Sequence, residues 1–229
     1  PLGASYNSFD SERYVLSLDD RAWRDAAAAA PYDFVILLAN SEKYGGGGIY
    51  RLYATAAVDS GFAPYLMVHE FGHSFAGLGD EYYTSSVAYE DFQGEMTEPA
   101  EPNITALRDP EKLKWADLVE EGTPLPTPWG KAEFEAKQRQ IQSERRRLRG
   151  EGAPESALEQ LFTSEREEMT TRLGAEEYAG KVGAFEGAGY QAQGLYRPAA
   201  DCIMFTRDEV GFCPVCSRAI ERVIDLYSR

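Results

Sequence analysis

Residues His69 to Tyr83 read HEFGHSFAGLGDEYY, a stretch that places two imidazoles, a carboxylate and a glycine-hinged acidic cluster within 15 residues. On a helix His69 and His73 lie one turn apart on the same face, so a ring nitrogen from each reaches one tetrahedral metal at about 2.0–2.1 Å. Glu70 points about 100° away from its neighbour, off the metal as a ligand yet within reach of a water held there. That is the placement of a general base. HExxH also arises by chance on helices whose histidines pack in a core, but this chain has only 2 histidines and both fall here. The stretch therefore predicts a zinc peptidase site, with His69 and His73 as metal ligands and Glu70 as the catalytic residue.

The helix has its own boundary signals. Ala63-Pro64 puts proline in a first turn, where its missing N–H costs little, and Leu66, Phe71 and Phe75 supply apolar packing. Gly72 inside the helix costs roughly 1 kcal/mol against alanine, which suggests close approach by another backbone. Gly77 and Gly79 end the helix, because glycine takes left-handed backbone angles without strain and lets the chain reverse. The reversal is expected to return Asp80 toward the metal as third ligand, with Glu81 a second candidate for the same role. Asp80 is 11 residues past His69, close to the ten-residue interval at which metzincin peptidases supply a third ligand, usually histidine.

Far downstream, Cys202-Ile203-Met204 resembles the methionine turn beneath the metal in metzincins, which assigns Met204 to the floor of the site. Taken with Tyr44 to Tyr50 (YGGGGIY), Gly122 to Trp129 (GTPLPTPW), FEGAGY, GLYRP, CIMF and FCPVCSRAI, the chain resembles the IgA-specific metallopeptidase family of bacteria. The similarity runs from about Phe34 to Ile220, interrupted by a charged segment. The resemblance implies an α/β (α+β) zincin fold with a metzincin-like catalytic domain and Zn2+ as cofactor. It also implies a secreted or cell-surface endopeptidase acting on a protein or glycoprotein, with immunoglobulin A as the founding substrate of the family. Substrate identity does not carry over with the fold. The rival reading is a catalytically silent zinc-containing module that binds a glycoprotein or peptide.

Composition agrees with one enzymatic domain across residues 1–229. The chain is 43% hydrophobic, enough for a substantial core. A net charge of −15 disfavours nucleic acid or anionic membranes, which demand clustered Lys and Arg. No apolar run approaches a membrane span, and no signal peptide is visible. The start at Pro1-Leu2-Gly3, without methionine, is read as a trimmed beginning, with the expectation that further sequence precedes it.

Asp19 or Asp20 is expected to cap an alanine-rich helix ending near Ala30, and Phe34 to Ala39 reads as a buried strand. Tyr44 to Gly48 reads as a flexible glycine loop. Gly48 to Val58 is then assigned as a strand at the sheet edge, where extended substrate pairs with its backbone. Lys131 to Arg149 carries Glu133 with Lys137 and Glu135 with Arg139 at helical spacing, beside a thin stripe of Phe134, Ile141 and Leu148. Beyond the Gly150 to Pro154 break, Leu158, Leu161, Phe162, Glu165, Met169 and Leu173 keep helical period. Together they predict a charged helical hairpin inserted at about 131–180, entered by a stiff Pro124, Pro126, Pro128 series.

Near the methionine turn, Tyr190, Tyr196 or Arg197 could stabilise the oxyanion of peptide hydrolysis. Astacin-like enzymes place such a tyrosine two residues past the methionine, but here that position is Thr206. The cysteines Cys202, Cys213 and Cys216 resemble those that archaemetzincins use for a second zinc. A structural zinc normally takes four ligands, and the residue after Asp80 is Glu81 rather than cysteine. A disulfide between Cys202 and one cysteine of the CPVC pair is therefore favoured, while a metal site completed by a carboxylate stays open.

Overall fold

The computed structural model describes residues 2–84 and 96–228. The chain forms two compact units, residues 1–77 and 78–229.

In the first unit a short antiparallel pair, β1 (Ala4–Ser5) and β2 (Leu16–Ser17), leads into α1 (Asp20–Ala27), whose N-cap is Asp19, its side chain accepting from the Ala22 amide at 3.0 Å. Then come β3 (Ile36–Ala39), β4 (Gly46–Ile49), β5 (Tyr53–Ala57) and α2 (Ala63–Ala76). The sheet order is β3-β5-β4, with β3 parallel and β4 antiparallel to β5. Two expectations change here. The glycine run is not a loop, because Gly46 to Ile49 form a strand in register with Ala56 to Tyr53. Nor is β5 an edge: it is paired on both sides and buried along its whole length, so the outer strands are β3 and β4, the latter bridged by Tyr14 at Gly46. The strand β3 is also less buried than its apolar run suggests, with Leu37 inside while Ile36 and Leu38 are exposed.

The core of this unit joins Leu16, Trp23, Leu37 and Tyr53. Trp23 meets Tyr53 edge-on at 5.6 Å, and the Tyr53 hydroxyl donates to Ser17 O at 2.7 Å. On the other side of the sheet α2 lies against β4 and β5. The glycines of β4 set how closely it can lie. A Cβ at Gly46 would come within 2.8 Å of Glu70 Cγ, and one at Gly48 within 2.3 Å of the Glu70 carbonyl oxygen and 2.6 Å of His73 Cβ. Alternate residues of a strand face opposite sides, and a Cβ at Gly47 would accordingly meet Leu16 at 2.6 Å instead.

The second unit contains the helices α3 (Lys131–Gly150) and α4 (Glu155–Gly174), a hairpin of β6 (Phe185–Ala188) and β7 (Gln191–Arg197), and α5 (Pro214–Tyr227). The charged helical pair is present at the expected positions. Its buried apolar residues are Phe134 and Ile141 on α3 and Leu158, Phe162, Met169 and Leu173 on α4, and Gln138 donates across to Glu165 at 2.9 Å. The base of the arm is anchored: the Phe134 ring stacks on Phe205 at 5.1 Å and lies 5.4 Å from Trp129. The proline series runs beside β6, where the Thr127 amide donates to Ala184 O at 2.8 Å and Trp129 Nε1 to Glu186 O at 3.1 Å.

Because the glycines of β4 have no room for side chains, Gly48→Ala is expected to cost about 1–3 kcal/mol through overpacking against α2. Gly150→Ala, with nothing within 4 Å of its Cβ, is expected to leave stability unchanged or slightly raised. Thermal unfolding of the two variants measures the difference.

Candidate metal centre and its neighbours

The helix α2 carries the histidine pair as expected. Pro64 lies in its first turn, and Gly77 ends it in the left-handed region at φ 65°, its amide donating to His73 O at 3.1 Å. His69 Nε2 and His73 Nε2 stand 3.2 Å apart with their rings nearly perpendicular. Two imidazoles on one tetrahedral ion, with bonds of about 2.0–2.1 Å, hold their nitrogens roughly 3.3 Å apart, so the pair fits a shared metal. A carboxylate oxygen of Glu70 lies within 4.8 Å of both histidine donor atoms. His69 and Glu70 are buried, while His73 is partly open.

The sequence reading missed what orients His69. Tyr65, one turn earlier on the helix, places its hydroxyl 3.2 Å from His69 Nδ1. With the Nδ1 proton directed at that oxygen, Nε2 keeps its lone pair for a metal, the tautomer that metal-ligating histidines need. The i, i+4 spacing was the available signal.

Asp80 and Met204 belong to the second unit. From Asp80 to Tyr82 the backbone contacts alternate: Asp80 O accepts from Gly189 N at 2.9 Å, the Glu81 amide donates to Met204 O at 2.8 Å, and Tyr82 O accepts from Tyr190 N at 3.1 Å. Neighbouring side chains accordingly diverge. Asp80 meets the tip of the β6–β7 hairpin, where the Tyr190 hydroxyl donates to its Oδ2 and lies 3.2 Å from the Tyr82 hydroxyl. Gly189 and Tyr190 form a two-residue turn with φ of 57° and 65°, the angles of a type I′ hairpin. A tyrosine in the left-handed region is costly and marks a place where the surroundings impose it.

Glu81 turns instead toward the cysteines. Its Oε1 lies 3.3 Å from Cys216 Sγ and accepts from Asn103 Nδ2 at 2.9 Å. Asn103 also clamps Gly79, accepting from its amide at 2.8 Å and donating to its carbonyl at 2.9 Å. Nothing local in the sequence marks Asn103, which lies 24 residues from Gly79. Burial pushes the Glu81 carboxyl well above the usual range. The favoured disulfide is absent: all three cysteines are free, and Cys202 Sγ and Cys216 Sγ are 3.8 Å apart, far beyond the S–S bond of about 2.05 Å.

The turn that carries Met204 is closed by Asp201, whose Oδ1 accepts from the Cys202 amide at 2.9 Å and the Thr206 hydroxyl at 2.7 Å. Burial is the main cause that lifts the Asp201 carboxyl to about 6. Met204 is fully buried. Arg197, expected near the oxyanion, is structural. Its guanidinium is wholly buried, donates to the Gly187 carbonyl at 2.9 Å, and sits 3.6 Å and 4.2 Å from the ring centroids of Phe205 and Trp129. Tyr196 lies on β7 opposite Glu186.

Among the described residues no helix is long and apolar enough to cross a membrane. No curated protein matches the sequence significantly. The family model described as IgA peptidase M64 matches residues 1–224 of the 229. That span takes in both the histidine pair on α2 and the Asp80 segment with its hairpin and the turn that carries Met204, and the chain belongs to this family of metallopeptidases.

Proposed function

We propose that the protein is a zinc-dependent endopeptidase in which His69, His73 and Asp80 hold the ion and Glu70 moves the proton. The observation that carries this is the pair of Nε2 atoms 3.2 Å apart with the Glu70 carboxylate beside them. Asp80 is assigned as third ligand because it follows the helix closely in sequence and its carboxylate is oriented by Tyr190. The divergence of Glu81 toward the cysteines favours Asp80 over its neighbour. Met204 is assigned to the floor, and the whole chain is read as one catalytic domain with α3 and α4 as an inserted arm.

A zinc ion at this site supplies Lewis acidity, polarising the scissile carbonyl and lowering the pKa of water. Glu70 takes the proton from the attacking water and delivers it to the leaving amine. It lies over Gly46, where a Cβ would meet Oε1 at 3.0 Å, so the glycine leaves the carboxylate its place. Tyr65 keeps His69 in the ligating tautomer.

The substrate strand docks on β4 in this reading. Gly45 O accepts from Ala57 N at 2.9 Å, so in the alternating antiparallel pattern Gly47 and Ile49 turn their polar groups to β5, while Gly46 and Gly48 turn theirs outward. The outward groups of Gly46 are already bonded to Arg13 O and Val15 N. Gly48 is left as the position whose N–H and C=O can pair with an extended peptide. A secreted or surface enzyme acting on immunoglobulin A or another host glycoprotein is the substrate reading that the family suggests.

Glu70→Gln is expected to retain metal while cleavage falls roughly 10²–10⁴-fold, and His73→Ala is expected to lose both; metal analysis beside a casein assay checks the pair. Cleavage that survives in Glu70→Gln sinks the assignment, and metal without chelator-sensitive cleavage in the wild type identifies a binding module instead. Tyr190→Phe is expected to weaken metal affinity or kcat/KM by roughly 10–100-fold through a loosened Asp80, with Tyr196→Phe unchanged in the same assays. Intact immunoglobulin A beside denatured casein reads selectivity, and equal cutting of both argues against a dedicated immunoglobulin enzyme.

A further inference from the structure

Four side chains from three separate stretches of the second unit converge away from any role in the proton transfer. Glu81, Cys202, Cys213 and Cys216 are all buried, and one ligand atom from each lies within 4.8 Å of the others. We propose that these four residues form a second, structural metal site that holds a zinc ion through three thiolates and one carboxylate oxygen.

The distances carry the assignment. Thiolates bound to one tetrahedral zinc at about 2.3 Å stand roughly 3.8 Å apart, which is the 3.8 Å between Cys202 Sγ and Cys216 Sγ. The 3.3 Å from Cys216 Sγ to Glu81 Oε1 is likewise the separation of neighbouring ligands around a small ion. Glu81 Oε2 adds an independent sign, being buried with no hydrogen-bond partner. A carboxylate oxygen left so in a protein interior is costly unless a cation compensates it. The other oxygen is held by Asn103, the kind of outer partner that fixes a ligand's direction.

The backbone places the sulfurs as well. Cys213 is the N-cap of α5 and Cys216 lies in its first turn, so one helix end brings two of the ligands together. The Cys213 amide points at Cys202 Sγ at 3.4 Å. Four protein ligands leave no open position, which makes the site structural rather than catalytic, and a thiolate-rich tetrahedral set selects zinc. When loaded, the site ties α5 to the methionine turn and to the segment carrying Asp80, whose next residue is one of the ligands.

The site does not depend on the peptidase reading and is tested apart from it. Metal analysis of the purified full chain is expected to find two zinc ions in the wild type and one in His69→Ala/His73→Ala. Titrating that variant with a thiol-specific mercurial is expected to release its remaining zinc in step with three cysteines. Cobalt substitution is expected to add the intense near-ultraviolet thiolate-to-cobalt band. Cys213→Ser/Cys216→Ser is expected to lose one zinc and lower Tm by at least about 5 °C. The wild type gives the same reading with no substitution, since one of its two ions leaves as the thiols react. A folded histidine variant without zinc overturns the site: three reactive thiols on denaturation mean a bare thiol cluster, and one means a disulfide. Wild-type zinc that stays bound while all three thiols react overturns it equally.

Discussion

The close approach of α2 to the glycine strand is the constraint on which the first unit depends. With Cβ atoms excluded at Gly46 and Gly48 by Glu70 and His73, the helix lies almost on the backbone of β4. The same contact that packs the helix therefore fixes Glu70 and His73 against the strand. Packing and chemistry share atoms here. Side chains at these two positions would hold the helix away from the strand and leave Glu70 free to rotate, so the glycines serve placement more than flexibility. Their neighbours Gly45 and Gly47 face the other way, where Val15 and Leu16 leave equally little room.

In the second unit a single short segment divides its side chains between two tasks. Asp80 meets Tyr190 at the hairpin tip and Glu81 meets the cysteines, because the backbone between them alternates its bonds to the hairpin and to Met204. The Asn103 amide braces both Gly79 and Glu81. The buried Arg197 under the aromatic rings of Trp129 and Phe205 joins β7 to the base of the helical arm, so the arm is rooted in the unit rather than merely attached to it.

Much of this was legible in residue order. Ala63-Pro64 and Gly77 marked the ends of α2 to within a residue, since a proline first turn and a left-handed cap are local backbone requirements. The helical arm was legible for a similar reason, because its charge pairs and apolar stripe repeat at the helical period. The glycine run was not. Four glycines read as flexibility until the helix that excludes their side chains is in place, and β5 read as an edge because strand order is set by pairing across the sheet rather than by residue pattern.

What the sequence by itself determined is the chemistry carried on one helix: two imidazoles and a carboxylate at fixed angular offsets, a geometry that the 3.6-residue turn dictates wherever the helix sits. Only tertiary structure decided the partners that come from far along the chain. Tyr190 on Asp80, Asn103 on Gly79, and Glu81 among three free cysteines are joined across gaps of 24 to 135 residues. Such contacts follow from which surfaces pack together, and no local period or spacing encodes them.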